Sequence, residues 1–221
     1  MRKTLSIFLA LVIIFSGCYI FFEPQLTDAV TDYDEITVSQ EVTGEIELSS
    51  PADLTMSPAI PGITGGVGVG TTTWNATTTN STGYTLSLTA SSTYSNASLE
   101  ASASNYFADY DLPPNDATTS PTYTWSIPTA AAEFGYTVEG HSNIAAFFKD
   151  TGTICNAGSG TTAYTCWNNA STTGVTIVNR ATAAATNEST NVGFRAEVTS
   201  GKNQPSGTYS GKIGITATTN P

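Results

Sequence analysis

Histidine is nearly missing from this chain: His141 is the only one in 221 residues. A histidine-based zinc site takes several such ligands, so that class is excluded by number. Basic residues are almost as scarce, with 7 Lys and Arg against 18 Asp and Glu and a formal net charge of −11. No run of Lys or Arg occurs, which removes a basic patch for nucleic acid or anionic lipid. Charged residues of both signs amount to only 11%. Polarity rests on Thr, Ser and Asn instead. No G-x-S-x-G elbow is present, and nothing singles out one Ser, Ser142 included, as a nucleophile beside His141. Beyond Phe22 there is no further long apolar run and almost no helical periodicity.

What is present begins with Arg2-Lys3 and an apolar run from Leu5 to Phe22. Cations ahead of such a run read as an export signal, so the remaining chain, roughly 200 residues, is expected outside the cytoplasm. Residues 1–24 take this role, and 25–35 form a short acidic linker. Three readings of the leader stay open. Ser16-Gly17-Cys18 offers the small residues of a cleavage site. Leu5 to Phe22 is also just long enough for an uncleaved anchor helix, since a span takes about 17–25 apolar residues. Phe15-Ser16-Gly17-Cys18 further offers Cys18 for lipidation. All three leave Arg2 and Lys3 inside and the bulk at the extracellular face of the envelope. The membrane is then touched only through the N-terminal segment, and the acidity serves solubility.

The exported part carries the marks of an all-β protein. Thr is β-branched and packs well on a pleated surface. The aromatics, 10 Tyr, 9 Phe and 3 Trp, are spread along the chain, which favours a folded core over a disordered Ser/Thr-rich stalk. Apolar and polar residues alternate at Ile36, Val38 and Val42, and again at Ile46 and Leu48. Both stretches read as half-buried strands. Thr71 to Thr79 reads as a strand with Trp74, and Tyr84, Leu86 and Leu88 as another. Asn80-Ser81-Thr82-Gly83 between them predicts a hairpin turn. Thr122 to Ile127, Phe134 to Val138, Val175 to Val178, Val192 to Val198 and Tyr209 to Ile215 are further strands, and Ile144 to Lys149 suggests a turn of helix. Many short strands with turn signals between them predict one antiparallel β-sandwich, immunoglobulin- or pilin-like, over 36–221.

Cys155 and Cys166 are the only cysteines outside the leader, and they flank a Gly/Ser/Thr-rich stretch. In an exported chain such a pair predicts a disulfide, contributing about 2.5–3 kcal/mol by restricting the unfolded chain. A metal or redox pair wants closer spacing. Asp109, Asp111 and Asp116 are the candidates for a calcium loop, although they lack the D-x-[DN]-x-[DN]-G order of an EF-hand. No other cofactor is expected. Glu133 and Glu139 join these aspartates as candidate carboxylates for glycoside hydrolysis, but their setting in turns gives no pair across a cleft. The sequons at Asn75, Asn80, Asn96, Asn169 and Asn187 follow from a composition this rich in Asn, Ser and Thr. Trp74, Trp125 and Trp167 sit on alternating segments, where they read as core, with a sugar-binding face as the alternative.

Thr73-Trp74-Asn75-Ala76-Thr77-Thr78-Thr79-Asn80 runs into Gly83-Tyr84-Thr85-Leu86, and Gly207-Thr208-Tyr209 precedes Lys212-Ile213-Gly214-Ile215-Thr216-Ala217-Thr218. With Phe148-Lys149-Asp150 to Cys155 and then Cys166-Trp167, this resembles uncharacterised secreted β-sandwich proteins of small, uncultivated bacteria. More remotely, the G-T-Y closing strand is similar to those of spore-coat-U-like pilin subunits and WxL surface proteins. Tyr123-Thr124-Trp125-Ser126-Ile127 approximates a W-x-L, with Ile127 in place of Leu. The resemblance implies a surface or appendage role and names no substrate.

The expectation is a non-catalytic structural or adhesive protein of the cell surface, partnered by itself or other envelope components. In its specific form, copies join by strand addition, with Ile36, Val38, Val42, Ile46 and Leu48 as the donor strand. The alternative is an extracellular carbohydrate- or ligand-binding module.

Overall fold

Alternation of apolar and hydroxylated side chains carries most of this chain into strands. The computed structural model describes residues 7, 9–14, 35–110 and 121–221. Cys18, Asp111 and Asp116 lie outside the described residues, as does most of the leader. The chain divides into two units, Met1–Glu41 and Val42–Pro221. In the first, residues 9–14 are helical and exposed, and 35–41 carry no strand. Among the described residues, no helix is long and apolar enough to cross a membrane.

The second unit is mostly β. Its strands are β1 (Ile46–Ser49), β2 (Gly66–Thr78), β3 (Tyr84–Ser91), β4 (Leu99–Ser102) and β5 (Asn105–Asp109), then β6 (Ala132–Glu139), β7 (Asn168–Asn169), β8 (Val175–Arg180), β9 (Ala184–Val198) and β10 (Lys212–Thr219). Among the described residues they form two sheets. The larger runs β1-β2-β9-β6-β5-β4, with β7 also on β6, and the smaller runs β10-β3-β8. Pairing is antiparallel except between β5 and β6. A 3-10 turn at Ala146–Phe148 answers the helical turn expected near Ile144.

One apolar cluster draws on both sheets. Trp74, Phe134, Tyr136, Val192 and Phe194 come from the larger, and Tyr84, Leu86, Leu88, Ile177 and Val178 from the smaller. On β3 the period-two pattern is clean: Tyr84, Leu86, Leu88 and Ala90 are buried and the residues between them are not. Each such leucine contributes roughly 1.5–3 kcal/mol by leaving water. β6 is buried on both faces instead. Its outer face is covered at Gly135, where a Cβ would lie 2.9 Å from Tyr110 Cβ and 3.0 Å from Trp125 Cζ3. Glycine there is what lets the aromatic cover lie flat on the strand.

Three expectations from the sequence need correction. The turn at Asn80–Gly83 exists, but it makes no hairpin. β2 pairs with β1 and β9, whereas β3 pairs with β10 and β8, so the turn carries the chain from one sheet to the other. Alternation on either side of a turn marks two strands but does not say that they pair. The crossing is tied by Asn80 Nδ2, which donates to Gly83 O at 3.0 Å and to Asn220 O at 2.7 Å. Thr122 to Ile127 is not a strand. Among the described residues only Thr122 bridges, to Trp167, and the rest serves to lay Trp125 on Gly135. Finally, Ile36 to Leu48 splits. Ile46 and Leu48 belong to β1, which pairs with β2 of the same chain, while Ile36, Val38 and Val42 lie outside any strand.

Candidate functional site

The segment before β1 keeps its alternation and pairs with no strand among the described residues. Ile36 is 83% exposed, and Val38 and Val42 are each 85% exposed. Glu45 fixes where the chain enters the sheet: its carbonyl accepts from Thr79 N–H at 3.1 Å and from the Thr78 hydroxyl at 2.6 Å. Upstream of that anchor, apolar side chains stand in water at every second position, apart from Gln40. An extended, alternating segment of this kind can complete a sheet that has an open edge.

The densest polar cluster is elsewhere, around Glu188 on β9. Its Oε2 accepts from Arg180 Nη1 at 2.7 Å and from the Tyr84 hydroxyl at 2.9 Å. Its Oε1 accepts from Asn143 Nδ2 at 2.6 Å and lies 2.9 Å from His141 Nδ1. Burial pushes the Glu188 carboxyl up, but the hydrogen bonds from Asn143, Arg180 and Tyr84 outweigh it and hold it below its ordinary value. Burial pushes the Tyr84 phenol up, and its bond to Glu188 adds to that. Burial likewise lowers His141, only partly offset by Glu188. His141 Nε2 lies 3.0 Å from Thr190 Oγ1, and Asn143 N–H approaches Nδ1 at 3.2 Å.

Glu188, His141 and Thr190 have the spacing of an acid–base–nucleophile relay. Thr190, however, is 0% exposed. A substrate carbonyl has no route to its hydroxyl in this fold. The sequence drew attention to Ser142 beside His141, whereas the geometry brings Thr190 to the ring. What the cluster does is clasp β3 and β8 of the smaller sheet to β9 of the larger.

Two further carboxylates organise loops. Asp150 is buried beside the disulfide. Its Oδ2 accepts from Thr162 N–H at 2.9 Å and its Oδ1 from Gly152 N–H at 2.8 Å. Glu100 accepts from the backbone N–H groups of Tyr94, Asn96 and Ala97. In both, burial raises the carboxyl and the hydrogen bonds to the backbone more than reverse it, so each is held low. Cys155 and Cys166 are joined, as expected of the cysteine pair outside the leader, with Cα atoms 5.5 Å apart.

Of the calcium candidates, Asp109 alone is described. It ends β5, and its Oδ1 accepts from Ser98 N–H at 2.9 Å. Burial raises its carboxyl, opposed by Ser98 and reinforced by the Glu100 charge. No group of three or more metal-ligating side chains assembles among the described residues. Glu139 accepts from Tyr164 N–H at 3.2 Å, and Glu133 stands opposite Glu197 in the pairing of β6 with β9. Glu133, Tyr106, Lys202 and Gln204 line a cleft of about 420 Å³.

The tryptophans divide. Trp74 and Trp167 are 7% and 2% exposed, which puts them in the packed interior. Trp125 is half-buried, stacked on Tyr110 at 4.1 Å with the Arg195 guanidinium 5.2 Å from its ring centre. Trp125 also meets Trp167 edge-on at 5.1 Å, and the half-exposed Tyr164 stacks on Trp167 at 6.5 Å. Glu188, Asp150 and Glu100 were not singled out by the sequence. Isolated acidic residues in a chain of such low charge were the one signal available.

No family model, curated protein or solved structure matches this chain.

Proposed function

We propose that this protein is a non-catalytic structural subunit of the cell surface, exported by its apolar leader and assembling with copies of itself by strand addition. The two sheets would close as a sandwich of immunoglobulin- or pilin-like kind, in keeping with the resemblance to pilin and surface proteins. One observation carries the reading: Ile36, Val38 and Val42 alternate, stand 83–85% exposed and join no strand among the described residues. Leaving three β-branched apolar side chains in water costs about 1.5–3 kcal/mol each against burying them. A neighbour's open sheet edge recovers that energy and satisfies the backbone as well.

Deletion of residues 35–43 tests it, since this spares β1. The intact chain should form oligomers by light scattering, and the deletion variant should be a folded monomer by near-ultraviolet dichroism. Unchanged assembly after the deletion would falsify the reading.

A second reading, a carbohydrate- or ligand-binding module, is supported by the half-buried Trp125 and the exposed Tyr164, which both pack on Trp167. Saturable quenching of tryptophan fluorescence by an oligosaccharide, lost in Tyr164→Ala, would favour it.

A further inference from the structure

We infer that β10 is the acceptor edge: residues Ile36–Val42 of a second copy add to it antiparallel, with Glu41 opposite Lys212. This rests on the strand-addition reading and gives it a place and a register.

The edges of the two sheets are not equally available. β8 pairs with β3 on one side, and on the other Asn143–Ala145 covers it through Asn179 N–H to Asn143 O at 3.0 Å and Ala145 N–H to Ile177 O at 2.9 Å. β4 pairs with β5, and Glu100 exchanges backbone hydrogen bonds with Ser210 at 2.9 and 3.0 Å. β1 has only four residues. β10 has eight, and among the described residues it pairs with β3 alone. It is the longest of these edges, and six donor residues, Ile36–Glu41, fit along it.

The side chains on that edge are those of an unfinished core. Ile213, Ile215 and Ala217 pack against the core cluster yet stay only partly buried. β1 lies beside β10, and its Ile46 and Leu48 show the same partial burial. An added strand with β-branched residues at alternate positions would seal this side. An edge this regular, with Lys212 as its one charged residue, is open to pairing.

Parity and charge select the register. With Glu41 opposite Lys212, Val38 falls opposite Ile215 and Ile36 opposite Ala217, all on the inner face. Thr37 and Ser39 then meet Thr216 and Gly214 on the outer face, where β10 is exposed. Gln40 falls opposite Ile213, a poor match, and Val42 falls opposite Gly211, just before β10 begins. Shifting by two residues keeps the faces but strands Glu41 opposite Gly214 and Lys212 opposite Thr43. Neither side chain meets an opposite charge among the described residues. Opposite charges facing each other across antiparallel strands favour the pairing, and like charges oppose it.

A zero-length carbodiimide cross-link tests this on the unmodified full-length chain. Equal amounts of normal and nitrogen-15-labelled protein are mixed at a concentration where oligomers form, treated, digested and analysed by mass spectrometry. The expected product is a Glu41–Lys212 isopeptide joining one labelled and one unlabelled peptide. Lys212→Arg should abolish that product while oligomers persist. Glu41→Lys should weaken association by about fivefold or less, and Lys212→Glu in the same chain should restore it. Oligomers that give no mixed-label Glu41–Lys212 product overturn the edge and register while leaving strand addition standing. A chain that stays monomeric at every concentration overturns both.

Discussion

Glu188 on β9 and Arg180 on β8 meet at 2.7 Å, and their strands belong to different sheets. Tyr84 on β3 joins them and Asn143 completes the carboxylate's donors, with His141 Nδ1 2.9 Å from its other oxygen. Apolar packing alone fixes neither the slide nor the angle of one sheet over another. A carboxylate with donors on three segments does, because moving any one leaves a polar group unpaired.

Glu188→Ala should therefore cost about 2–4 kcal/mol, less than a fully buried pair because the side chains keep some contact with water. A lowered urea midpoint with an unchanged slope would show it. A loss under half a kcal/mol would mean that the donors find water at no cost.

The same cluster sets a pH dependence. Glu188, Asp150 and Glu100 are all held below their ordinary values in the fold. Their contribution is complete above the unfolded carboxylate values, about 4–4.5, and is lost as pH falls through the folded ones. His141 is held low too, so its contribution is complete above about 6.5 and fades as pH falls through its folded value. Asp109 is raised and works in the opposite sense, favouring the fold in acid. Three carboxylates against one leave a net loss in acid. The urea midpoint should fall from pH 7 to pH 3, and less steeply in Glu188→Gln. A flat profile would contradict the assignment.

Gly83 shows why the crossing between sheets is a glycine. Its φ is +84°, and a Cβ would lie 1.9 Å from Arg180 O. Gly83→Ala should cost about 2 kcal/mol or more, from left-handed strain together with the clash. Thermal melting measures it, and a variant as stable as the parent would show that the turn has another conformation within reach.

Much of this architecture is legible in the chain. The patterns of β3, β6, β9 and β10 are periodic because one face of each meets the core, and that face is written residue by residue. Pairing partners are not written so. The turn at Asn80–Gly83 is correctly marked by its residues, yet which sheet each flank joins depends on β1, β9 and β10, distant in sequence. Trp125 sits in an alternating stretch that looks like a strand, but Gly135, the residue that makes room for it, identifies its place only once β6 is built. Glu188 was illegible for the same reason: its partners Tyr84, Asn143 and Arg180 are brought together by two sheets.

The disulfide closes a loop that Asp150 also holds. Reduction of Cys155–Cys166, or Cys155→Ser, should cost about 2.5–3 kcal/mol by restoring freedom to the unfolded chain. With Asp150 still accepting from Thr162 and Gly152, the loop should stay folded in the reduced protein, with Trp167 fluorescence unchanged in native buffer. A red shift on reduction alone would show that the bond, not Asp150, holds the loop.

Hydrogen exchange in the assembled protein tests strand addition most directly. Peptides covering residues 36–42 should be protected in the oligomer and exchange at free-chain rates once dilution yields monomer. Free-chain exchange of those amides while oligomers persist would contradict the account.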